Sequence, residues 1–459
     1  MGLDNSAGTK KLRRSFGLFG AVMLGIGAMI GAGIFVLSGI AAGEAGPALL
    51  LAFALNGVAA LAIGSCYAEL ASAMPRAGGS YYWIKQGIGP ITGFYAGWIG
   101  FYANTIAAAL YAKAFGAFTI ALAGSMIQSV LAHSSILSVL AGIAVIAAIT
   151  IVEYRGAKET VSSENVIVCI KIALLLVFVI AGCSAIFNRP EPTAALTPFL
   201  PNGFGGLAVA TALTFIAFEG FEVITRSGEE IRIPSLNISR AIFLSILISV
   251  SLYLLVAAVM LLAVEPPSGQ LGYQYLGSLG ELGMAKVAGQ IMPYGELLFY
   301  AAGMASTVSA MIAAIYSATR VGFAMGRAGD LPICFARIHR TFASPYVAVL
   351  ICAGLMVVMV VALPLKEVAV GASMMFALLF TLVCFTTIRL RKKCPDMKRP
   401  FRVFLSPYLP ALGIAACGLV FLTLRDVSSL AWITNIAWLV LGLPLILRQA
   451  RWRKAQKRN

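Results

Sequence analysis

About twelve apolar runs, each near the roughly 20 residues a helix needs to cross a bilayer, constrain this chain more than any other feature. They fall at approximately 16–41, 46–72, 89–115, 129–152, 164–187, 204–224, 239–263, 296–320, 344–363, 367–388, 407–424 and 430–447. Lipid offers backbone groups no hydrogen-bond partner, so each run reads as a helix. The chain of 459 residues is 60% hydrophobic and only 11% charged, and no polar stretch is long enough for a soluble domain. The expected fold is an all-α polytopic membrane protein in one domain. Lys10 to Arg14 before an apolar run imitate a signal peptide, but that run is too long and too broken by glycine for cleavage.

The net charge of +16 follows from orientation. With the N-terminus in the cytoplasm, the inside loops hold Lys10, Lys11, Arg13, Arg14, Arg76, Lys85, Arg155, Lys158, the groups from Arg226 to Arg240 and Arg320 to Arg340, and the basic stretches 389–402 and 448–458. That is about 28 basic residues inside, against Arg189, Lys286, Lys366 and Arg425 outside. The positive-inside rule then puts both termini in the cytoplasm of an inner or plasma membrane. The charge reads as lipid contact, with no nucleic-acid partner. The eight cysteines form no CxxC or His-Cys cluster, so no metal, cofactor or disulfide framework is expected. His133 and His339 fall in loops, which leaves proton chemistry inside the membrane to carboxylates, lysine or tyrosine. There is no P-loop for direct ATP drive, and no nucleophile–base pair indicates an enzyme.

Two runs break their own helical pattern. In the first, Gly25, Gly27, Gly31 and Gly33 fall within nine residues, each weakening a helix by about 1 kcal/mol. In the sixth, the sequence IAFEGFE sets Gly220 between Glu219 and Glu222. Glycines alone fit close helix packing as well as a discontinuous helix. Two interrupted spans in matching positions favour discontinuity around a binding site. Five spans per half would invert the second half relative to the first, giving repeat one at about 16–187, repeat two at about 204–388 and additional helices at about 407–447. The proline-rich loop 188–203 should be ordered but not helical. Segment 264–295 should form short helices on the outer face, as a lid or a passive connector.

A broken first span frees the N–H groups of Ala32 and Gly33 at the start of its outer half, which suits a carboxylate. The carbonyls near Met29, with those of Ile216 and Glu219 in span six, suit an ammonium. An amino acid supplies both groups. Glu222 is the better protonatable or gating group, and Glu219 contributes mainly backbone; the alternative puts both near the water boundary with Arg226 as partner. Lys171 lies about seven residues into span five, roughly 10 Å deep. It either snorkels to the surface or stands fixed in the bundle as a replacement for a bound cation, with carbonyls of the first break or the Ser306 hydroxyl as partners. Trp98, Tyr102 and Asn104 in span three, with Phe218 and Phe221, either line a pocket or pack the core. Glu69 closes span two ahead of an amphipathic segment, MPRAGGSYYWIKQGIG.

The motifs GIGAMIGAGIF, AELASAMPRAGGSYYW, IAFEGFEVIT with EEIRIPSLNISRAI, and YSATRVGFAMGRAGDLP, in this order over spans one to ten, resemble the amino acid–polyamine–organocation (APC) superfamily. The resemblance implies a leucine-transporter-like five-plus-five inverted repeat and secondary amino-acid transport by alternating access. It places the substrate carboxylate at Gly31, Ala32 and Gly33, and the amine at the carbonyls of Met29, Ile216 and Glu219. It gives Lys171, near Ser306, the place of a sodium ion in proton-coupled members, and Glu222 the acidic position of span six. Met311 and Ile216 take places where arginine-carrying members have tryptophan, which points to a neutral, apolar side chain.

The expected function is proton-coupled transport of neutral or apolar amino acids. The rivals are an exchanger independent of proton and sodium, and a transporter-derived sensor. Whether a small membrane subunit or a second copy joins the chain is left open.

Overall fold

The computed structural model describes residues 16–76, 78–127, 135–156, 160–342 and 344–456. Lys10, Lys11, Arg13, Arg14, His133 and Lys158, which carry part of the orientation and loop readings, lie outside the described residues. The described chain is helical, and its one bridge of strand type joins Phe16 to Ile231. Eleven stretches are long and apolar enough to cross a membrane, and a further apolar helix, Tyr346–Ala362, has 17 residues, at the short end of what spans a bilayer.

The first span consists of α1 (Leu18–Met29), α2 (Ala32–Phe35) and α3 (Leu37–Ala45), and α4 (Leu49–Ala73) forms the second. The amphipathic segment contains α5 (Ser80–Gly87). The third span, α6 (Pro90–Ile127), runs 38 residues, well past its expected end near 115. Its alanine-rich outer half has no breaker, and Gly116 is used for packing: a Cβ there would lie 2.1 Å from the Ser138 carbonyl oxygen of α7 (Ser135–Arg155). α8 (Thr160–Phe187) is the fifth span. A single 3-10 turn, Pro192–Leu196, interrupts the connector expected to be non-helical; its first proline presets the needed φ.

The sixth span runs through α9 (Gly203–Thr214), a 3-10 stretch Phe215–Phe218 and α10 (Phe221–Arg226). α11 (Pro234–Ala263) follows, then two short helices, α12 (Gly272–Leu279) and α13 (Gly283–Ile291), as expected for 264–295. They rest on α3 by backbone contact: a Cβ on Gly43 would lie 2.7 Å from the Gly277 Cα. α14 (Gly295–Arg327), α15 (Tyr346–Ala362) and α16 (Leu365–Lys393) complete ten spans, with α6 packed along α14 and α16 at the centre.

α17 (Tyr408–Arg425) and α18 (Ser429–Gln456) flank this bundle. Trp98 of α6 and Trp438 of α18 stack with centroids 4.1 Å apart, and Tyr102 stacks on Trp438 at 4.3 Å. The Trp98 indole N–H donates to the Trp438 carbonyl (2.8 Å), and the Trp438 N–H to the Trp98 carbonyl (3.1 Å). Trp98 and Tyr102 therefore belong to a helix–helix joint, the packing alternative of the two readings. Glu69, buried at the end of α4, accepts from Arg391 and Arg399 and from the Val403 N–H at 2.8 Å. It ties α4 to the end of α16 and to the loop beyond.

Candidate functional site

The first span breaks after Met29. Ile30 leaves helical geometry, with φ −77° and ψ 74°, and the Gly31 N–H folds back to the Met29 carbonyl at 2.8 Å. Carbonyls of the last turn of α1 thereby lose their helical donors. The Gly27 carbonyl in that turn and the Ile30 carbonyl just beyond it accept from the Lys171 ammonium at 3.2 and 2.9 Å. The Ser309 hydroxyl lies 3.2 Å from the same Nζ. Lys171 stands eleven residues beyond Thr160, about 16 Å along α8 at 1.5 Å per residue, deeper than expected because the helix starts earlier. It is 1% exposed, so it does not snorkel. Ser306, the expected partner, instead donates to the Ile30 carbonyl at 2.6 Å. Ser309, one turn further along α14, takes the contact expected of Ser306.

On the opposite side of the break a tyrosine does related work. The Tyr253 hydroxyl of α11 donates to the Met29 carbonyl at 2.5 Å and lies 3.2 Å from the Ala217 carbonyl of span six. It links the two breaks where their backbones touch. A Cβ on Gly33 would lie 2.3 Å from the Ala217 Cβ, and one on Gly220 would lie 2.4 Å from the Met29 nitrogen. A Cβ on Gly31 would meet Ala310 at 2.7 Å. Discontinuity and close packing through small residues are therefore both present in the same glycines.

The two carboxylates of span six have different surroundings. Glu222 Oε1 accepts from Arg226 at 2.7 Å, Tyr67 at 3.3 Å and Ser80 at 3.2 Å. Neither Glu222 nor Arg226 reaches the water boundary; they are 2% exposed each. This is a buried ion pair that joins span six to α4 and α5. Glu219 is 6% exposed. Its Oε1 accepts from the Tyr111 hydroxyl at 3.4 Å, and its buried Oε2 has no hydrogen-bond partner among the described residues. The Glu219 side chain, expected to be incidental to its backbone, thus faces the interior of the site.

A small cavity of about 10 Å³ lies between the breaks and α6, α14 and α16, lined by Ala28, Asn104, Tyr111, Glu219, Gly220, Glu222, Val223, Ala310, Ala314 and Phe376. That is room for about one water, so the walls must part to admit anything larger. Among the sequence candidates, Asn104, Glu219 and Glu222 line it, with the Asn104 amide nitrogen bonded to the Gly100 carbonyl at 2.8 Å. Met29, Gly31 and Gly33 lie in the adjoining break. Met311 and Ile216 are buried but do not line the cavity, where α14 presents Ala310 and Ala314 instead. Phe218 points away, packing on Phe53 and Tyr253 with centroids 6.2 and 5.3 Å apart. Sequence reasoning misses Tyr111, Tyr253, Ser309 and Phe376.

The arrangement combines a fixed buried ammonium at one broken helix, a buried carboxylate beside a small cavity, and two helix breaks packed on each other. Residues 16–447 match the profile of the family described as Amino acid permease. The chain belongs to this family, within the APC superfamily. It is similar to the branched-chain amino acid permease BcaP of Bacillus subtilis, 32% identical over 97% of this chain and 95% of the relative. It is similar as well to the methylthioribose transporter of the same organism, 30% identical over 96% and 94% of the two chains. Cationic amino acid transporter 4 of Mus musculus is 28% identical over 85% of this chain and 61% of its own. The protein is thus a membrane permease and not an enzyme, and amino acids are the substrate class its family supports.

Proposed function

We propose that this permease moves neutral amino acids with apolar side chains together with protons, by alternating access between two inverted halves, 16–187 and 204–388, in an inner or plasma membrane with both termini cytoplasmic. The contact of Lys171 with the Gly27 and Ile30 carbonyls is the observation that carries the proton coupling. A tethered ammonium occupies, on main-chain acceptors of a broken helix, the kind of place a metal cation would take. Those acceptors sit at the C-terminal end of α1 and its cap, which rocking of the first half would carry away. An ammonium left without acceptors inside protein is costly, so Lys171 would release its proton as α1 moves and regain it on return.

The substrate carboxylate would meet the N–H groups of Ala32 and Gly33, the Gly31 N–H being turned back to the Met29 carbonyl. The apolar wall of Ala28, Val223, Ala310, Ala314 and Phe376 favours an apolar side chain, as does the similarity to a branched-chain amino acid permease. The Glu222–Arg226 pair, bonded to Ser80 and Tyr67, would close the cytoplasmic side.

Uptake into proteoliposomes tests this reading. Leucine accumulation should follow an inward proton gradient and be indifferent to sodium. Uptake that follows sodium and ignores pH would contradict the coupling, and trans-stimulation without net accumulation would mark an exchanger.

A further inference from the structure

We propose that a groove on the membrane-facing side of α6, α16 and α18 seats the acyl chains of an anionic phospholipid, drawn from the leaflet on which the basic ends of α16 and α18 lie.

Trp98 and Trp438 hold α18 against α6. Gly442 allows a further close approach, since a Cβ there would lie 3.1 Å from the Trp98 ring. Beside this joint the three helices form a groove of about 430 Å³. Ile91 and Ile99 belong to its first wall, Leu378 and Leu382 to the second, and Ile436 and Leu443 to the third. From Ile91 to Ile99 is about 12 Å at 1.5 Å per residue, close to the roughly 15 Å of hydrocarbon in one leaflet.

Size selects the occupant. A helix about 10 Å across would take about 900 Å³ over that length, about twice the groove. Acyl chains are thinner, and they are as apolar as the leucines that face them. Charge selects the headgroup. On α16, Leu378, Leu382, Phe385 and Arg389 follow at the spacing of one helix face, so the stripe that walls the groove ends at an exposed arginine. Lys392 and Lys393, also exposed, come next. Lys393 donates to the Gln86 carbonyl at 2.9 Å, beside the turn that leads into α6. The sequence of α18 runs on into Arg448, Arg451 and Arg453. Each basic residue near a membrane surface favours anionic lipid about fivefold.

The groove backs the substrate cavity. Phe376 of α16 lines the cavity, and Leu378, two residues on, lines the groove. α6 likewise brings Asn104 and Tyr111 to the cavity and Ile99 to the groove. The seated chains thus support two of the helices that wall the cavity.

The test uses the full chain purified in detergent, with phosphatidylglycerol and phosphatidylcholine of identical acyl chains as probes. Native mass spectrometry should show phosphatidylglycerol bound at least about tenfold more tightly, and it should raise the melting temperature more than phosphatidylcholine does. Glycerol phosphate, a headgroup without chains, should not compete. Val440→Trp, at a groove position 53% exposed, should weaken phosphatidylglycerol binding about tenfold. Arg389→Gln should bring the two lipids to within about threefold of each other. A phosphatidylglycerol carrying a photoactivatable diazirine on its acyl chain should label segments 91–99 or 436–443 of the wild type, which decides the location even if a variant fails to fold. Equal affinity of the wild type for the two lipids, competition by glycerol phosphate, or labelling confined to other segments would overturn the proposal.

Discussion

The two sides of the break in span one differ in how completely their polar groups are satisfied. On the α8 side, the Lys171 ammonium has three acceptors at 2.9–3.2 Å, and Ser306 adds a fourth polar group at the Ile30 carbonyl. On the cavity side, Glu219 Oε2, Glu222 Oε2 and two nitrogens of Arg226 are buried without hydrogen-bond partners among the described residues. A full set of bonds belongs to a device that holds one geometry until its helix moves. An incomplete set belongs to a surface that gains by receiving something. The same broken backbone thus carries a latch on one side and a receptor on the other.

Variants can break or sharpen this contrast. The largest effect is expected at Lys171→Met, which removes the ammonium from the Gly27 carbonyl and leaves the Ile30 carbonyl with Ser306 alone. Proton-driven accumulation in proteoliposomes should fall at least about 100-fold, the upper end of what a single bond to a charged group supplies. Gly220→Ala comes next. Its Cβ would press on the Met29 nitrogen at 2.4 Å, and overpacking of this kind costs about 1–3 kcal/mol. Transport should drop about tenfold and the melting temperature of the purified protein should fall.

Two serines on α14 separate direct from shared contact. Ser309→Ala removes an acceptor from the ammonium itself and should lower the coupled rate by about tenfold, in the range of one bond to a charged group. Ser306→Ala removes a donor from the Ile30 carbonyl and should cost only about two- to threefold. The smallest change is expected at Tyr253→Phe. It deletes a neutral hydroxyl contact between the breaks, worth about 1 kcal/mol, and should appear as a modest loss of thermal stability with transport retained.

The helix breaks and Lys171 are legible in the sequence because each violates a local rule: glycine within a span, and a cation within an apolar run. Their partners are not legible. Lys171 and Ile30 are 141 residues apart, and Ser306 and Ile30 are 276 apart, so no window of sequence relates them. Tyr253 is one of 15 tyrosines in a run otherwise typical of a buried helix, and nothing local marks it as the link between the breaks.

The roles of the two carboxylates were within reach. Glu222 has Arg226 four residues on, the spacing that pairs side chains on a helix, whereas the fourth residue after Glu219 is Val223. That register leaves Glu219 without a local counter-charge. The length of α6 is illegible for another reason: Lys113 lies within the third apolar run, two residues before its expected end. Its Nζ instead donates to the Val360 carbonyl near the end of α15 at 2.9 Å, and the helix continues.

The most direct test of a tethered ammonium that cycles with α1 is proton movement itself. Proteoliposomes holding a pH-sensitive dye, given external leucine without any imposed gradient, should acidify inside when they contain the wild type. Those containing Lys171→Met should not. Leucine accumulation by the wild type with no change in internal pH would contradict the coupling through Lys171.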